Sequence, residues 1–432
     1  MHEISDKTKE RAILVGAGKH CNDVTGKDSP GHLEELRLLA DTAGADVVGT
    51  ISQYHTEISP TYFIGKGKAN ELKTEVERVN ANIVIFDADL TPAQVSNLEK
   101  LLNIKVVDRS GLILYIFALR ARTSEAKAQV ELAQLKYLLP RLTRQWTHLS
   151  RQEGGIGTRS GPGETQLEVD RRRIRQRIGH LTNILKKIEQ RHDTARKRRS
   201  GNFKAALVGY TNAGKSTLLN AISGASVPVE DKLFKTLDSV TKLVKFESTP
   251  EILISDTVGF IRNLPHDLIA SFKSTLAEVR EADVLLHVVD ITHPEWEEQV
   301  DVVVSVLFDL GVSDTETIMV FNKIDHLNCT LFFDSLKTRY PHAVCVSGKY
   351  GYGIEELQTA LKKAILKERL TLTLELNPED SLTISNIYRF GTILETHVNG
   401  DLIRLTFTIP RSIALKHNLA NTTLNKYQTS QN

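Results

Sequence analysis

Residues 209–216 read GYTNAGKS, a run whose residue types suit a phosphate cradle. The spacing is G-x-x-x-x-G-K-[ST], with the apolar AALV before it and TLLNAI after it, so a strand should lead in and a helix should lead out. Gly209 and Gly214 would let the backbone of Tyr210, Thr211, Asn212 and Ala213 curl until its N–H groups turn inward on phosphate oxygens. The helix opening at Lys215, Ser216 and Thr217 would add the positive end of its dipole. The Lys215 ammonium would reach the outer phosphates, and the Ser216 hydroxyl would ligate Mg²⁺.

Three further stretches could complete such a site. ILISDTVGF supplies Asp256, Thr257, Val258 and Gly259 after an apolar run. Asp256 would hold Mg²⁺ indirectly, and the Gly259 N–H would meet the γ-phosphate. VFNKID supplies Asn322, Lys323 and Asp325. A carboxylate such as Asp325 accepts from both the ring N–H and the amino group of guanine, a donor pair that adenine lacks, so the expected substrate is GTP. VSGK brings Ser347, Gly348 and Lys349, where loop N–H groups could meet the guanine oxygen.

The order GYTNAGKS, DTVG, NKID, SGK resembles the small-GTPase-like superfamily. That resemblance implies a threonine between Ser216 and Asp256 that ligates Mg²⁺ only when GTP is bound. Thr236, in DKLFKTLDSVTK, is preferred over Thr241, which makes Lys215, Thr236 and Gly259 the expected catalytic set and Ser216 and Thr236 the metal ligands. Two positions depart from Ras-like enzymes. Phe260 stands where those enzymes place a glutamine, and an aromatic ring cannot orient water, so slow intrinsic hydrolysis raised by a partner is expected. Asn212 matches an asparagine that potassium-stimulated GTPases use to ligate K⁺, so K⁺ is a second candidate cation.

The elements that must position these residues follow from the apolar pattern. Residues 202–368 alternate strand-like runs (FKAALVG, LVKFE, ILISDTVG, VLLHVVD, TIMVFNK, AVCVSG) with helices, the pattern of an α/β layer around a parallel sheet. Residues 11–110 show the same alternation, with Thr91 as cap and Pro92 as first residue of a helix. Between them, two long helices are expected, LILYIFALRARTSEAKAQVELAQLKYLLPRL and ETQLEVDRRRIRQRIGHLTNILKKIEQRHDTARKRR, as an antiparallel hairpin whose tip, 151–164, holds five glycines and a proline. Leu167, Ile174, Ile178, Leu181, Leu185 and Ile188 make one apolar stripe on the second helix. Residues 141–200 carry sixteen Lys/Arg and six Asp/Glu, a local net of +10 in a chain of net +2, which suits a nucleic-acid phosphate backbone. Arg151 and Arg159 flank the tip and could pair with phosphates or stack on bases. The expected division is 1–111 (a small α/β, nucleotide-binding-like unit), 112–200 (the basic hairpin), 201–369 (the GTPase domain) and 370–432 (a small α+β domain).

TYFIGKGKANEL, LTPAQVSNLE, DRSGLILYIFALRARTSEAKAQVELAQLKYLLPRL, GGIGTRSGPGETQLEVDRRRI and LFKTLDSVT resemble the HflX family of GTPases over roughly residues 10–370, with one serine more at the tip than the family spacing implies. The resemblance implies binding to the large ribosomal subunit and its rRNA, and GTP-dependent splitting or rescue of stalled ribosomes under stress. Alternatives are a potassium-stimulated GTPase of tRNA modification and an ATP-dependent RNA remodeller.

Weaker signals have plain readings. GAGKH (16–20) and GKGK (65–68) lack Walker spacing and read as turns rather than a second nucleotide site. His287 reads as a satisfied core residue, and Tyr137 and Trp146 as packing between the hairpin helices. Three cysteines without a CxxC pair argue against structural zinc and fit a reducing compartment. The start MHEISDKTKERAILVG lacks a signal-peptide core and no apolar run approaches a membrane span. A cytoplasmic monomer, with peripheral ribosome or membrane association, is the expectation.

Overall fold

The first sheet has four parallel strands, β1 (Arg11–Gly18), β2 (Asp46–Tyr54), β3 (Ile83–Phe86) and β4 (Lys105–Val107), in the order β2-β1-β3-β4. All four residues of β3 are buried, as a parallel strand covered on both faces requires. The structure is a computed structural model, and it describes residues 9–18, 30–54, 58–142, 166–198, 203–224, 233–234, 239–246, 251–262, 276–326, 336, 338–367, 369–399, 402–417 and 419. Helices α1 (Pro30–Ala43), α2 (Lys66–Val79) and α3 (Pro92–Leu102) flank the sheet. The Thr91 hydroxyl accepts from the Gln94 N–H while the Gln94 side chain accepts from the Thr91 N–H, a capping box on α3. GKGK is not a turn. Gly65 is the extended residue ahead of α2, and Lys66–Lys68 form the first turn of that helix.

The first expected long helix is broken. It forms α4 (Arg109–Arg120) and α5 (Ser124–Leu138), because Ala121 turns extended (φ −62°, ψ 114°) and the Thr123 side chain caps α5 from the Ala126 N–H. The second is continuous as α6 (Gln166–Arg198), 33 residues. It packs on α5 through Leu181, Ile178 and Leu185 against Ala128, Leu132 and Leu135, and Arg177 grips Glu131 with two bonds of 2.7 and 2.9 Å. The glycine tip, its flanking Arg151 and Arg159, and Trp146 lie outside the described residues. Tyr137 does not pack between the two helices. Its hydroxyl donates to Asp108 Oδ1 at 2.5 Å and its ring lies under the Arg141 guanidinium, because the buried N-cap carboxylate of α4 gathers polar partners around itself.

The second sheet holds β5 (Phe203–Gly209), β6 (Val240–Val244), β7 (Ile252–Asp256), β8 (Val284–Asp290), β9 (Glu316–Asn322) and β10 (Val344–Cys345), ordered β10-β9-β8-β5-β7-β6. Every pairing is parallel except β6 with β7. Helices α7 (Lys215–Ser223), α8 (Ala277–Arg280), α9 (Trp296–Asp309) and α10 (Ile354–Lys367) flank it. The parallel strands therefore deliver Gly209, Asp256 and Asn322 at one edge, the carboxyl edge where open α/β sheets bind ligands. Beyond it, β11 (Arg369–Leu376), β12 (Thr392–Asn399) and β13 (Leu402–Pro410) make an antiparallel sheet, β11-β13-β12, with α11 (Ser381–Phe390) and α12 (Arg411–Lys416).

One buried apolar cluster spans the first two sheets, from Leu36, Ile116 and Phe117 to Tyr210, Phe234 and Phe260. Phe117 meets Phe234 edge to face, with ring centres 4.7 Å apart. Among the described residues no helix is long and apolar enough to cross a membrane.

Candidate nucleotide site

The 209–216 loop lies between β5 and α7, as its spacing requires. Gly214 has φ +91°, and a Cβ there would stand 2.2 Å from Asn322 Nδ2, so only glycine fits. Asn322 ties the loops together. Its Nδ2 donates to the Ala213 carbonyl at 2.8 Å, and its Oδ1 accepts the Gly348 N–H at 3.0 Å. Sequence reasoning gave Asn322 a place in the site but missed this bridge, which joins the first loop to the 347–349 loop.

Lys215 is buried and donates to the Gly209 and Tyr210 carbonyls at 3.0 and 2.8 Å. Burial pulls its ammonium down to about 8, against the pull of the Asp256 carboxylate. The Ser216 hydroxyl donates to Asp256 Oδ2 at 2.6 Å, so the hydroxyl and the carboxylate expected around a divalent cation are side by side. Thr211 Oγ1 is buried with no hydrogen-bond partner, a polar atom that a phosphate oxygen would satisfy. Gly259 presses on the same loop: a Cβ there would lie 2.8 Å from Thr211 Cα and 2.9 Å from Lys215 Nζ. These features fit a nucleotide triphosphate with its cation.

Side chains of other expected residues face elsewhere. Thr257 Oγ1 donates to the Leu207 carbonyl at 2.6 Å, and Val258 and Ala213 are core residues, so all three can serve a nucleotide only through their backbone. The exposed Asn212 holds φ 62°. Thr217 follows Ser216 on α7, half-buried. Thr236 lies outside the described residues, and its competitor Thr241 bonds Ser255 at 2.9 Å on β6. Phe260 is buried in the shared core, its backbone paired with the loop through Thr211 N to Phe260 O at 2.8 Å and Phe260 N to Gly209 O at 3.1 Å.

At the opposite side of the cradle, Asp325 Oδ1 accepts from Ser347 Oγ at 2.7 Å and Oδ2 faces His326 Nε2 at 3.4 Å. Burial pushes this carboxyl up, but the Ser347 hydroxyl, its own backbone N–H and the charges of His326 and Lys349 together hold it below the usual range, so it is ionised and able to accept. Lys323, at φ 65°, pairs with Asp290 at 2.7 Å, and Lys349 is exposed beside Tyr350. His287 is buried as expected, yet not satisfied: its Nε2 has no partner, and burial together with the Lys215 charge lowers it to about 4.

Comparison with known proteins decides the family. The chain is 46% identical over 397 residues to "GTPase HflX" of Caldanaerobacter subterraneus subsp. tengcongensis, covering 91% of this chain and 90% of that one. It is 43% identical to "GTPase HflX" of Escherichia coli, over 91% of each chain. This chain belongs to the HflX family of GTPases. Three family descriptions match along it: "GTP-binding GTPase N-terminal" at 31–118, "GTP-binding GTPase Middle Region" at 120–199 and "50S ribosome-binding GTPase" at 204–323. A crystal structure of SsGBP with GDP is 24% identical, aligns at TM-score 0.47, and covers 83% of this chain and 99% of that chain. As a member of the HflX family with a P-loop GTPase domain, the protein binds and hydrolyses GTP.

Proposed function

We propose that the chain couples GTP hydrolysis to association with the large ribosomal subunit, and that it splits or rescues stalled ribosomes under stress. The juxtaposition that carries the nucleotide part is Asn322, which holds the phosphate loop on one side and the Ser347–Lys349 loop on the other, with Asp325 fixed by Ser347 where a guanine edge would reach it. Gly209–Thr217 cradle the phosphates, Lys215 contacts the outer ones, and the Gly259 N–H meets the γ-phosphate. Ser216 and Thr236 hold Mg²⁺, with Asp256 beside them. The cation, when bound, offsets charge on the phosphate oxygens. Asn212 is the K⁺ ligand.

The Phe260 ring, buried in the core, leaves no side chain at that position to orient the attacking water. A partner supplies that help, and the ribosome is the partner the family description names. The basic helix α6 and the glycine tip are the rRNA-facing arm, and the domains divide at 111, 200 and 369. The working form is a cytoplasmic monomer. Steady-state GTP turnover in K⁺ buffer should rise at least tenfold when large ribosomal subunits are added. No rise, with GTP binding intact, would contradict the ribosomal reading and favour a potassium-stimulated GTPase of tRNA modification.

A further inference from the structure

The loop after β10 carries two tyrosines that the nucleotide site does not use. Tyr350 and Tyr352 are 56% and 59% exposed, and their rings stack with centres 5.9 Å apart and planes 22° apart. The loop is closed from within. The Ser347 N–H donates to the Tyr352 carbonyl at 2.9 Å, the Gly351 N–H to the Ser347 carbonyl at 2.8 Å, and the Tyr350 N–H to Ser347 Oγ at 3.3 Å. Gly351 and Gly353 hold φ +78° and +71°, and a Cβ at Gly353 would lie 2.1 Å from the Cys345 carbonyl oxygen, so no side chain fits there. Ser347 is itself buried and bonded to Asp325. The tyrosines thus stand on a base that is already ordered, and a partner that stacks on them has little loop entropy to overcome.

The chemistry around the rings selects the partner. The Lys349 ammonium lies 5.2 Å from the centre of the Tyr350 ring, so this π face already attracts a cation. Glu355 and Glu356 follow in the first turn of α10, and both are exposed. Carboxylates there also suit the positive end of the α10 dipole. The tyrosines have no comparable local use, since neither belongs to a buried cluster. Two carboxylates beside two π faces repel a phosphate backbone and attract a guanidinium, whose plane stacks on an aromatic ring while its N–H fork grips a carboxylate. We propose that Tyr350, Tyr352, Glu355 and Glu356 form a docking surface for an arginine-bearing segment of a partner protein. Tyrosine and arginine are among the residue types that most often carry the binding energy of protein interfaces. The surface is opposite in charge to the basic helix α6, and so takes a partner of opposite charge.

The test uses the full chain with two labelled peptides, Gly-Arg-Gly-Arg-Gly-Arg-Gly and its lysine counterpart, and a single-stranded oligouridylate as the nucleic-acid probe. Binding is read by fluorescence anisotropy for the parent and three double variants: Tyr350→Leu with Tyr352→Leu, Tyr350→Phe with Tyr352→Phe, and Glu355→Gln with Glu356→Gln. Leucine keeps apolar bulk and removes the π face, whereas phenylalanine keeps the face. The parent should bind the arginine peptide more tightly than the lysine peptide. The leucine and glutamine variants should each lose about fivefold in affinity for the arginine peptide, and the phenylalanine variant should stay within about twofold of the parent. Equal binding of that peptide by the parent and the leucine variant overturns the proposal. So does a leucine variant that loses oligouridylate and keeps the peptide, because the rings would then be a platform for bases. An unchanged Kd for GDP shows that each variant is folded. Where a double variant fails that check, the single substitution Tyr352→Leu or Glu356→Gln decides in its place.

Discussion

At the carboxyl edge of the six-stranded sheet the polar side chains are buried or half-buried and mutually held: Lys215 on two loop carbonyls, Ser216 on Asp256, Asn322 on two loops, Ser347 on Asp325. Between residues 172 and 191 of α6 the charged side chains are exposed, and the helix packs on α5 through a short apolar seam and the Arg177–Glu131 pair. The first arrangement is specific because each atom has one place to go, and a displaced group loses a hydrogen bond in a low dielectric. The second is unspecific in contact and specific in field. Its value to a polyanion depends on how many cations it presents, and it weakens with salt. Damage to one region should therefore leave the other working.

Lys215→Ala gives the largest effect. Turnover of GTP should fall on the order of a thousandfold if, as proposed, the Lys215 ammonium contacts the transferring phosphoryl group. Binding of the same variant to rRNA fragments, read by a filter or fluorescence assay, should stay within about twofold of the parent. Equal loss of both would erase the distinction between the regions.

A pH effect on stability comes next, and it belongs to the sheet alone. His287 is held neutral in the folded protein, its value lowered from 6.5 to about 4. The unfolded chain takes up the proton first, so stability is full above pH 6.5 and declines as pH falls toward 4. The loss is on the order of 3 kcal/mol at most. Urea midpoints measured across that window should fall more steeply with acid in the parent than in His287→Gln, and identical slopes would show that His287 does not carry the effect.

The smallest change is expected on α6. Arg175, Lys186 and Lys187 are exposed, and replacing all three by Glu should weaken large-subunit binding roughly tenfold near physiological salt, with a shallower salt dependence. Intrinsic GTP turnover should not change. A salt slope equal to the parent's would take α6 out of the interface.

The same contrast explains what the sequence made legible. GYTNAGKS, DTVG, NKID and SGK could be placed because each is a short run whose function depends on its own spacing, and the apolar strands before them name the sheet edge they occupy. The Thr91 cap and Pro92 are legible for the same reason, whereas the reciprocal Gln94 bond emerges only in the structure. The break at 121–123 is hidden in the sequence, although Thr123 is a capping residue, because the apolar pattern runs through it and the cap wins locally. The antiparallel setting of β6 leaves no mark on its own sequence, since pairing direction is decided by the neighbour. The Glu35–Tyr210–Arg109–Arg262 network joins residues up to 175 positions apart, and no local pattern could announce it.

The most direct measurement takes Asp325→Asn and compares the affinity of parent and variant for GTP and XTP. An aspartate accepts from the amino group of guanine, whereas xanthine offers a carbonyl oxygen there, which an asparagine amide can meet as a donor. The parent should prefer GTP, and the variant should lose GTP affinity on the order of a hundredfold while gaining affinity for XTP. An unchanged preference for GTP would contradict the assignment of the base pocket to Asp325.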